Sequence, residues 1–251
     1  VLDQMPRPVT LFHVSDLHFG AEDRAALAWF AQSVADVRPD AVICTGDLTM
    51  RARRREFSAA AAWLGALAAP VMVEPGNHDM PYFNLIERFF TPYARYRQLR
   101  RAVNRDLELD QVAVIPLQTI APAQWRLNWS KGHVGGTNLA HALAGLSAAA
   151  SAGIRLAACH HPLIEADTQA TASTRGGSAA LAALARCGAD AVLSGHVHDA
   201  FDRMVYAGGM PIRLIGAGTL SQRLRTTRPS FNRLDYSLAQ GLQVSPQLMP
   251  G

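Results

Sequence analysis

The chain has 251 residues, 49% hydrophobic and 18% charged, which excludes a disordered protein and a pair of large domains and leaves enough apolar residues for one sizeable core. Its 24 Lys+Arg against 20 Asp+Glu give a formal charge of +4, a mild bias toward anionic partners such as phosphate esters or nucleic acid. Lys131 is the only lysine, so positive charge comes as planar guanidinium forks suited to phosphate oxygens; arginine-rich codon usage explains the same bias equally well.

The first strand-like run is Val9–Val14, followed by Ser15-Asp16-Leu17-His18. Residues 23–37 place Leu27, Phe30 and Val34 at helical spacing, with Pro39 just past the end. A right-handed crossover then leads to a parallel strand over 41–45, closed by Gly46-Asp47. Residues 56–68 predict a second helix and 71–73 a third strand, with Gly76-Asn77-His78-Asp79 after it.

From Met80 to Asp110 the pattern changes: Tyr82, Phe83, Phe89, Phe90, Tyr93 and Tyr96 interleave with Arg88, Arg95, Arg97, Arg100, Arg101 and Arg105. This small insert reads as helices packing aromatics on the core with solvated arginines, the alternative being a surface that faces substrate or partner. Alternation resumes with a strand over 112–117, a Trp/Gly-rich loop over 121–136, a helix over 139–152, and a strand over 154–159 ending in His160-His161-Pro162. A helix over 178–185 leads to a strand over 191–194 and Gly195-His196-Val197-His198. Runs at 204–206 and 212–215 flank Gly208-Gly209 as a hairpin. Alternating strands and helices predict an α/β fold. With no repeat or low-complexity linker, residues 1–251 are expected as a single domain with the insert at about 80–110.

Five polar clusters follow strand-like runs, where α/β sheets place ligand sites, outside the carboxyl ends of the strands. Asp16-x-His18 and His196-x-His198 each set two ligand-competent side chains on one side of an extended backbone. Gly46, Gly76 and Gly195 allow sharp turns where backbone and ligand come close. Carboxylate, imidazole and amide without thiolate suit Mn²⁺, Fe, Zn²⁺ or Mg²⁺. One Asp-x-His alone is as often a turn as a ligand pair; five clusters together are too many for coincidence.

In their order, Asp-x-His, Gly-Asp, Gly-Asn-His-Asp, a strand-ending His and Gly-His-x-His, these blocks make the chain resemble the calcineurin-like metallophosphoesterases from about Leu11 to His198. The resemblance implies a four-layer α/β/β/α sandwich of two mixed β-sheets flanked by helices. It also implies two divalent or mixed-valent metal ions, Mn, Fe or Zn. Asp16, His18 and His198 would hold one metal, Asp47 would bridge both, and Asn77, His160 and His196 would hold the other. His160 is preferred to His161 because family members with a single histidine there follow it with a small or polar residue; His161 is then a support. His78, with Asn77, matches the family's contact to the substrate phosphate. His78 and Asp79 are the expected catalytic pair, His78 being protonated through Asp79 and giving its proton to the leaving alkoxide. A metal-bridging hydroxide would attack phosphorus in line.

The Gly46-Asp47-Leu48-Thr49 and Gly76-Asn77-His78-Asp79 blocks look like the branch of bacterial cyclic-nucleotide and other small phosphodiester hydrolases, whose members are cytoplasmic. The resemblance therefore implies hydrolysis of a small phosphodiester, such as a cyclic nucleotide. A UDP-sugar lipid pyrophosphate hydrolase, a phosphomonoesterase, a nuclease and a non-catalytic binding module of the same fold are the alternatives. No dedicated nucleic-acid module is visible, and the intact ligand set speaks against a dead member. The 80–110 insert and the arginine-rich tail over 218–234 are expected to set specificity, with Arg175 beside Gly176-Gly177 as a phosphate contact and a homodimer through insert or tail. His13 is expected to be a packed or supporting residue, and the Arg51, Arg53, Arg54, Arg55 run a solvated helix start. His133 and His141 carry little signal.

Cys44, Cys159 and Cys187 are odd in number and widely spaced, which excludes a disulfide framework and a CxxC zinc site. Cys44 and Cys159 are expected as small buried hydrophobes. The apolar run over 59–73 is shorter than the roughly 18 residues a span needs and is broken by Pro70. No transmembrane segment or signal peptide is expected, and the unpaired cysteines imply a reducing compartment.

Overall fold

The computed structural model describes residues 7–81, 83–105, 107, 109–121, 130–165, 168 and 174–251; Tyr82 of the insert and residues 122–129 of the Trp-rich loop lie outside them. The chain opens with β1 (Val9–Val14), α1 (Arg24–Val37), β2 (Ala41–Cys44), α2 (Arg54–Gly65) and β3 (Val71–Val73), and β2 pairs in parallel with both other strands. Because these strands bury both faces, they read as continuous apolar runs. Phe12, Val14, Val42, Cys44, Val71 and Val73 pack toward the helices with Phe30 and Val34 of α1 and Leu64 of α2. Their alternates Val9, Leu11, Ala41, Ile43 and Met72 face the other way, into a second core. Asp23 caps α1, its carboxylate accepting from the Ala25 and Ala26 amides at 2.9 and 3.1 Å.

The insert forms α3 (Leu85–Phe90) and α4 (Ala94–Val103). It divides in character. Tyr96 of α4 buries into the first core with Leu99 and Val103, as expected for an aromatic of the insert, and the Tyr96 hydroxyl donates to the Val73 carbonyl at 2.8 Å. Ile86 and Phe90 of α3 stand exposed instead.

The second half supplies β4 (Val112–Pro116), α5 (Gly136–Ala148), β5 (Ile154–Ala158), α6 (Gly177–Arg186), β6 (Ala191–Ser194), and the hairpin β7 (Phe201–Ala207) and β8 (Met210–Gly216) around Gly208-Gly209. Its sheet runs β4-β5-β6-β8-β7, with β7 alone antiparallel to its neighbour. Leu156 and Leu193 turn inward onto Leu11 and Ile43 of the first sheet, whereas Val192 and Leu214 pack outward with Leu146 of α5 and Leu184 of α6. Two mixed five-stranded sheets thus lie face to face with helices outside, a four-layer α/β/β/α sandwich. No helix among the described residues is long and apolar enough to cross a membrane.

Two more strands follow: β9 (Ser230–Ser237), which starts inside the stretch over 218–234 read only as arginine-rich, and β10 (Gly241–Leu248), which lies beyond it. β9 pairs antiparallel with β1, Val9 opposite Tyr236 and His13 opposite Asn232, and β10 closes the edge of the first sheet. Their signal is weak for a physical reason. β10 is half-exposed and carries Pro246, a residue that a strand tolerates only at an edge. In β9 buried Asn232 interrupts the apolar alternation; its amide donates to the Gly216 carbonyl at 2.9 Å and so ties one sheet to the other.

Candidate metal centre

Five loops leave the carboxyl ends of β1, β2, β3, β5 and β6, and they bring Asp16, His18, Asp47, Asn77, His160, His196 and His198 to one place between the sheets. Asp16 (φ 57°), His18 (46°), Asp47 (51°), His196 (71°) and His198 (63°) all take left-handed backbone conformations, so five of the seven residues are held in strained turns. Such strain costs on the order of 1–3 kcal/mol per residue and persists where surrounding contacts over-determine the site. Two glycines make the turns possible. A Cβ at Gly195 would lie 1.8 Å from Ser15 Oγ, and one at Gly76 would lie 2.0 Å from Asp47 Oδ1.

Hydrogen bonds fix which ring nitrogens face inward. His160 Nδ1 donates to the Thr45 carbonyl at 2.8 Å, and His198 Nδ1 to the Arg223 carbonyl at 2.6 Å. Both Nε2 atoms are therefore turned toward the centre. His198 Nε2 lies 3.2 Å from His18 Nε2 and 3.1 Å from Asp16 Oδ1, and the latter oxygen has no hydrogen-bond partner among the described residues. His160 Nε2 lies 3.2 Å from Asn77 Oδ1 and 3.5 Å from Asp47 Oδ2, which is also 3.7 Å from His18 Nε2. Lone pairs that converge in a buried space repel one another unless a cation sits among them, so the donor set fits metal ions. Asp47 stands between the two groups.

Burial lowers His160, but the Asp47 carboxylate beside it raises it to about 9, so without metal ions a proton takes the cation's place. Burial pushes the Asp47 carboxyl up, but His160 and His78 beside it pull harder and hold it well below the ordinary carboxylate range. Burial and then the charge of His160 bring His196 down to about 3, which keeps that imidazole neutral.

His161 differs from His160 in what its ring already holds. Its Nδ1 pairs with Thr119 Oγ1 at 3.0 Å and its Nε2 with the Ser130 carbonyl at 2.8 Å, although it comes within 4.8 Å of His160 and His196 ligand atoms. His13 is fully buried and bonds Thr45 Oγ1 at 3.0 Å, behind the carbonyl that orients His160. Cys44 and Cys159 are buried, and burial pushes both thiols up. Arg175 is exposed; its backbone pairs with Gly132 and Val134, and among the described residues its side chain bonds none of the centre's residues. Of the arginine run, Arg51, Arg54 and Arg55 are exposed around the start of α2.

One expected pairing is corrected. Asp79 does not hold the His78 ring: its carboxylate accepts from the amides of Leu48, Thr49 and Gly76 at 3.1, 2.9 and 2.8 Å and from Thr49 Oγ1 at 2.9 Å. Those donors flank Asp47 and Asn77, so Asp79 braces two loops together. The His78 ring instead sets Nδ1 on the Met50 carbonyl at 2.8 Å and Nε2 at 3.0 Å from Arg223 Nη1. The reason is positional, because Asp79 ends a single 3-10 turn (Asn77–Asp79) whose carboxylate folds back on its own N-cap.

Sequence reasoning missed three contributors on the loop between β8 and β9. Thr219 Oγ1 donates to the Asp16 carbonyl at 2.7 Å, Thr226 bonds the Asp199 carboxylate beside His198, and Arg223 brings a guanidinium against His18 and His78. The only signal in the sequence was the arginine content of that tail.

A family model for calcineurin-like phosphoesterase matches residues 9–200. The glycerophosphodiester phosphodiesterase GpdQ of Enterobacter lignolyticus is 36% identical over 80 residues, a stretch that covers 28% of this chain and 29% of that relative. In fold, the chain is similar to a dimetal phosphatase from Danio rerio, with a TM-score of 0.64 and 13% identity over 95% of this chain and 98% of that one. It is likewise similar to PhoD, with a TM-score of 0.66 and 12% identity over 96% and 70% of the two chains.

Proposed function

The chain belongs to the calcineurin-like phosphoesterase family of metal-dependent phosphoester hydrolases, and from that premise we propose that it hydrolyses a small phosphodiester, a cyclic nucleotide or similar, at a pair of metal ions. The convergence of buried nitrogen and oxygen ligand atoms at the strand ends carries this reading. Asp16, His18 and His198 would hold one metal, Asn77, His160 and His196 the other, and Asp47 both; Mn, Fe and Zn all suit these donors. When bound, the pair polarises the phosphoryl oxygens and makes water a nucleophile near neutral pH.

The remaining work falls to the protein. His78 has committed Nδ1–H to the Met50 carbonyl, so Nε2 is the atom that takes up a proton and returns it to the leaving alkoxide. Asp79 keeps the Asp47 and Asn77 loops in register. The preference for a diester is supported by the partial likeness to a phosphodiesterase, about three tenths of either chain. We read residues 1–251 as one metallophosphoesterase unit, because the C-terminal strands complete the sheet that β1 begins. The three free cysteines, two of them buried, support a reducing, cytoplasmic setting.

The test is hydrolysis of bis(p-nitrophenyl) phosphate against p-nitrophenyl phosphate by protein stripped of metal and reloaded separately with Mn²⁺, Fe²⁺ and Zn²⁺. Metal-dependent preference for the diester is expected. Preference for the monoester would make the protein a phosphatase and overturn the reading.

A further inference from the structure

We propose that Arg223 is the residue that grips the substrate phosphate, a role that rests on the phosphodiesterase reading and adds a contact to it. The guanidinium is half-buried, and Nη1 lies 3.0 Å from His78 Nε2 and 3.3 Å from His18 Nε2. All its side-chain hydrogen bonds run through Nη1, so the Nε and Nη2 hydrogens have no partner among the described residues. A metal held by His18 uses the Nε2 lone pair, and that nitrogen then accepts nothing from Arg223. A fixed cation next to a divalent metal is repelled unless an anion lies between them. A phosphoryl oxygen supplies both the acceptor and the charge, and guanidinium forks match phosphate geometry.

The backbone of Arg223 is anchored independently of its side chain. Its carbonyl accepts from His198 Nδ1 at 2.6 Å, and its amide donates to Ser221 Oγ at 3.3 Å. Thr219 on the Asp16 carbonyl and Thr226 on Asp199 pin the loop on either side. The same residue therefore orients one predicted metal ligand through its main chain and offers its side chain to whatever the metals bind. Because the two roles use different atoms, substitution separates them.

The experiment titrates inorganic phosphate into the Mn²⁺-loaded full chain by calorimetry, with metal content measured by plasma mass spectrometry. Arg223→Ala is expected to weaken phosphate binding about 10- to 100-fold, the range for loss of charge-assisted hydrogen bonds, with Mn²⁺ content unchanged. Arg223→Lys should recover part of the loss, and kcat/KM for the diester should fall in parallel in both variants. Phosphate binding that is as tight in Arg223→Ala as in the wild type would overturn the grip alone, as would loss of Mn²⁺ from that variant. A metal-loaded wild type that binds no phosphate would overturn the grip and the phosphoesterase reading together. A wild type that binds phosphate but turns over no diester would leave the grip standing and sink only the diester assignment.

Discussion

At the scale of single residues, adjacent histidines part company according to what their ring nitrogens hold. His160 uses Nδ1 on a backbone carbonyl and points Nε2 at Asn77 and Asp47, whereas His161 has partners at both nitrogens. His160→Ala is therefore expected to lower metal content from two ions toward one per chain, and His161→Ala to retain both ions while losing stability; elemental analysis and thermal melts distinguish them. Glu74 illustrates a buried charge outside the centre. Burial raises its pKa from 4.5 to about 8, against the pull of Arg100. Between those values the folded chain keeps a proton that the unfolded chain has lost, so stability falls as pH rises, by up to about 1.4 kcal/mol per pH unit. Glu74→Gln copies the protonated form and removes this slope. Denaturant titration should find the variant close to wild type near pH 5 and more stable at pH 8.

At the scale of elements, each strand is short and the turn after it does the positioning. The β3 turn leaves no room for a side chain, since a Cβ at Gly76 would sit 2.0 Å from Asp47 Oδ1 and 2.2 Å from the Asp47 amide nitrogen. The loop has no slack to move, because Asp79 binds the Gly76 amide and the Asp47 side to one carboxylate. Gly76→Ala should cost about 1–3 kcal/mol, as overpacking does, and release metal together with stability. A variant that melts earlier but keeps both ions would show that the turn holds the fold without shaping the centre. The insert follows the same logic at a distance: α4 is fastened to β3 through Tyr96, while α3 leaves Ile86 and Phe90 in solvent, so its sequence pattern served two different ends.

At the scale of the whole molecule, the centre exists only where the two sheets meet. Asp16, His18, Asp47 and Asn77 come from the first sheet and His160, His196 and His198 from the second, so the core between them sets the spacing of the candidate ligands. Leu156→Ala, at a fully buried position in that core, should cost about 2–5 kcal/mol and weaken metal binding with no ligand touched; paired melts and metal titrations check both. Much of this was legible from the chain alone. Strands buried on both faces appear as apolar runs, and the candidate ligand residues cluster just after them, because side-chain alternation and strand ends are local properties. β9 and β10 were not legible, since one carries a buried polar tie and the other a proline-bearing exposed edge. Nor were the partners of Asp79, His78 and Arg223, the last meeting residues 205 and 145 positions away. The α/β alternation, the family and the candidate ligands could be read along the chain. Which nitrogen faces the centre, what holds it there and which arginine arrives depend on packing, because those contacts form only when the sheets come together and loops distant in sequence close over one point.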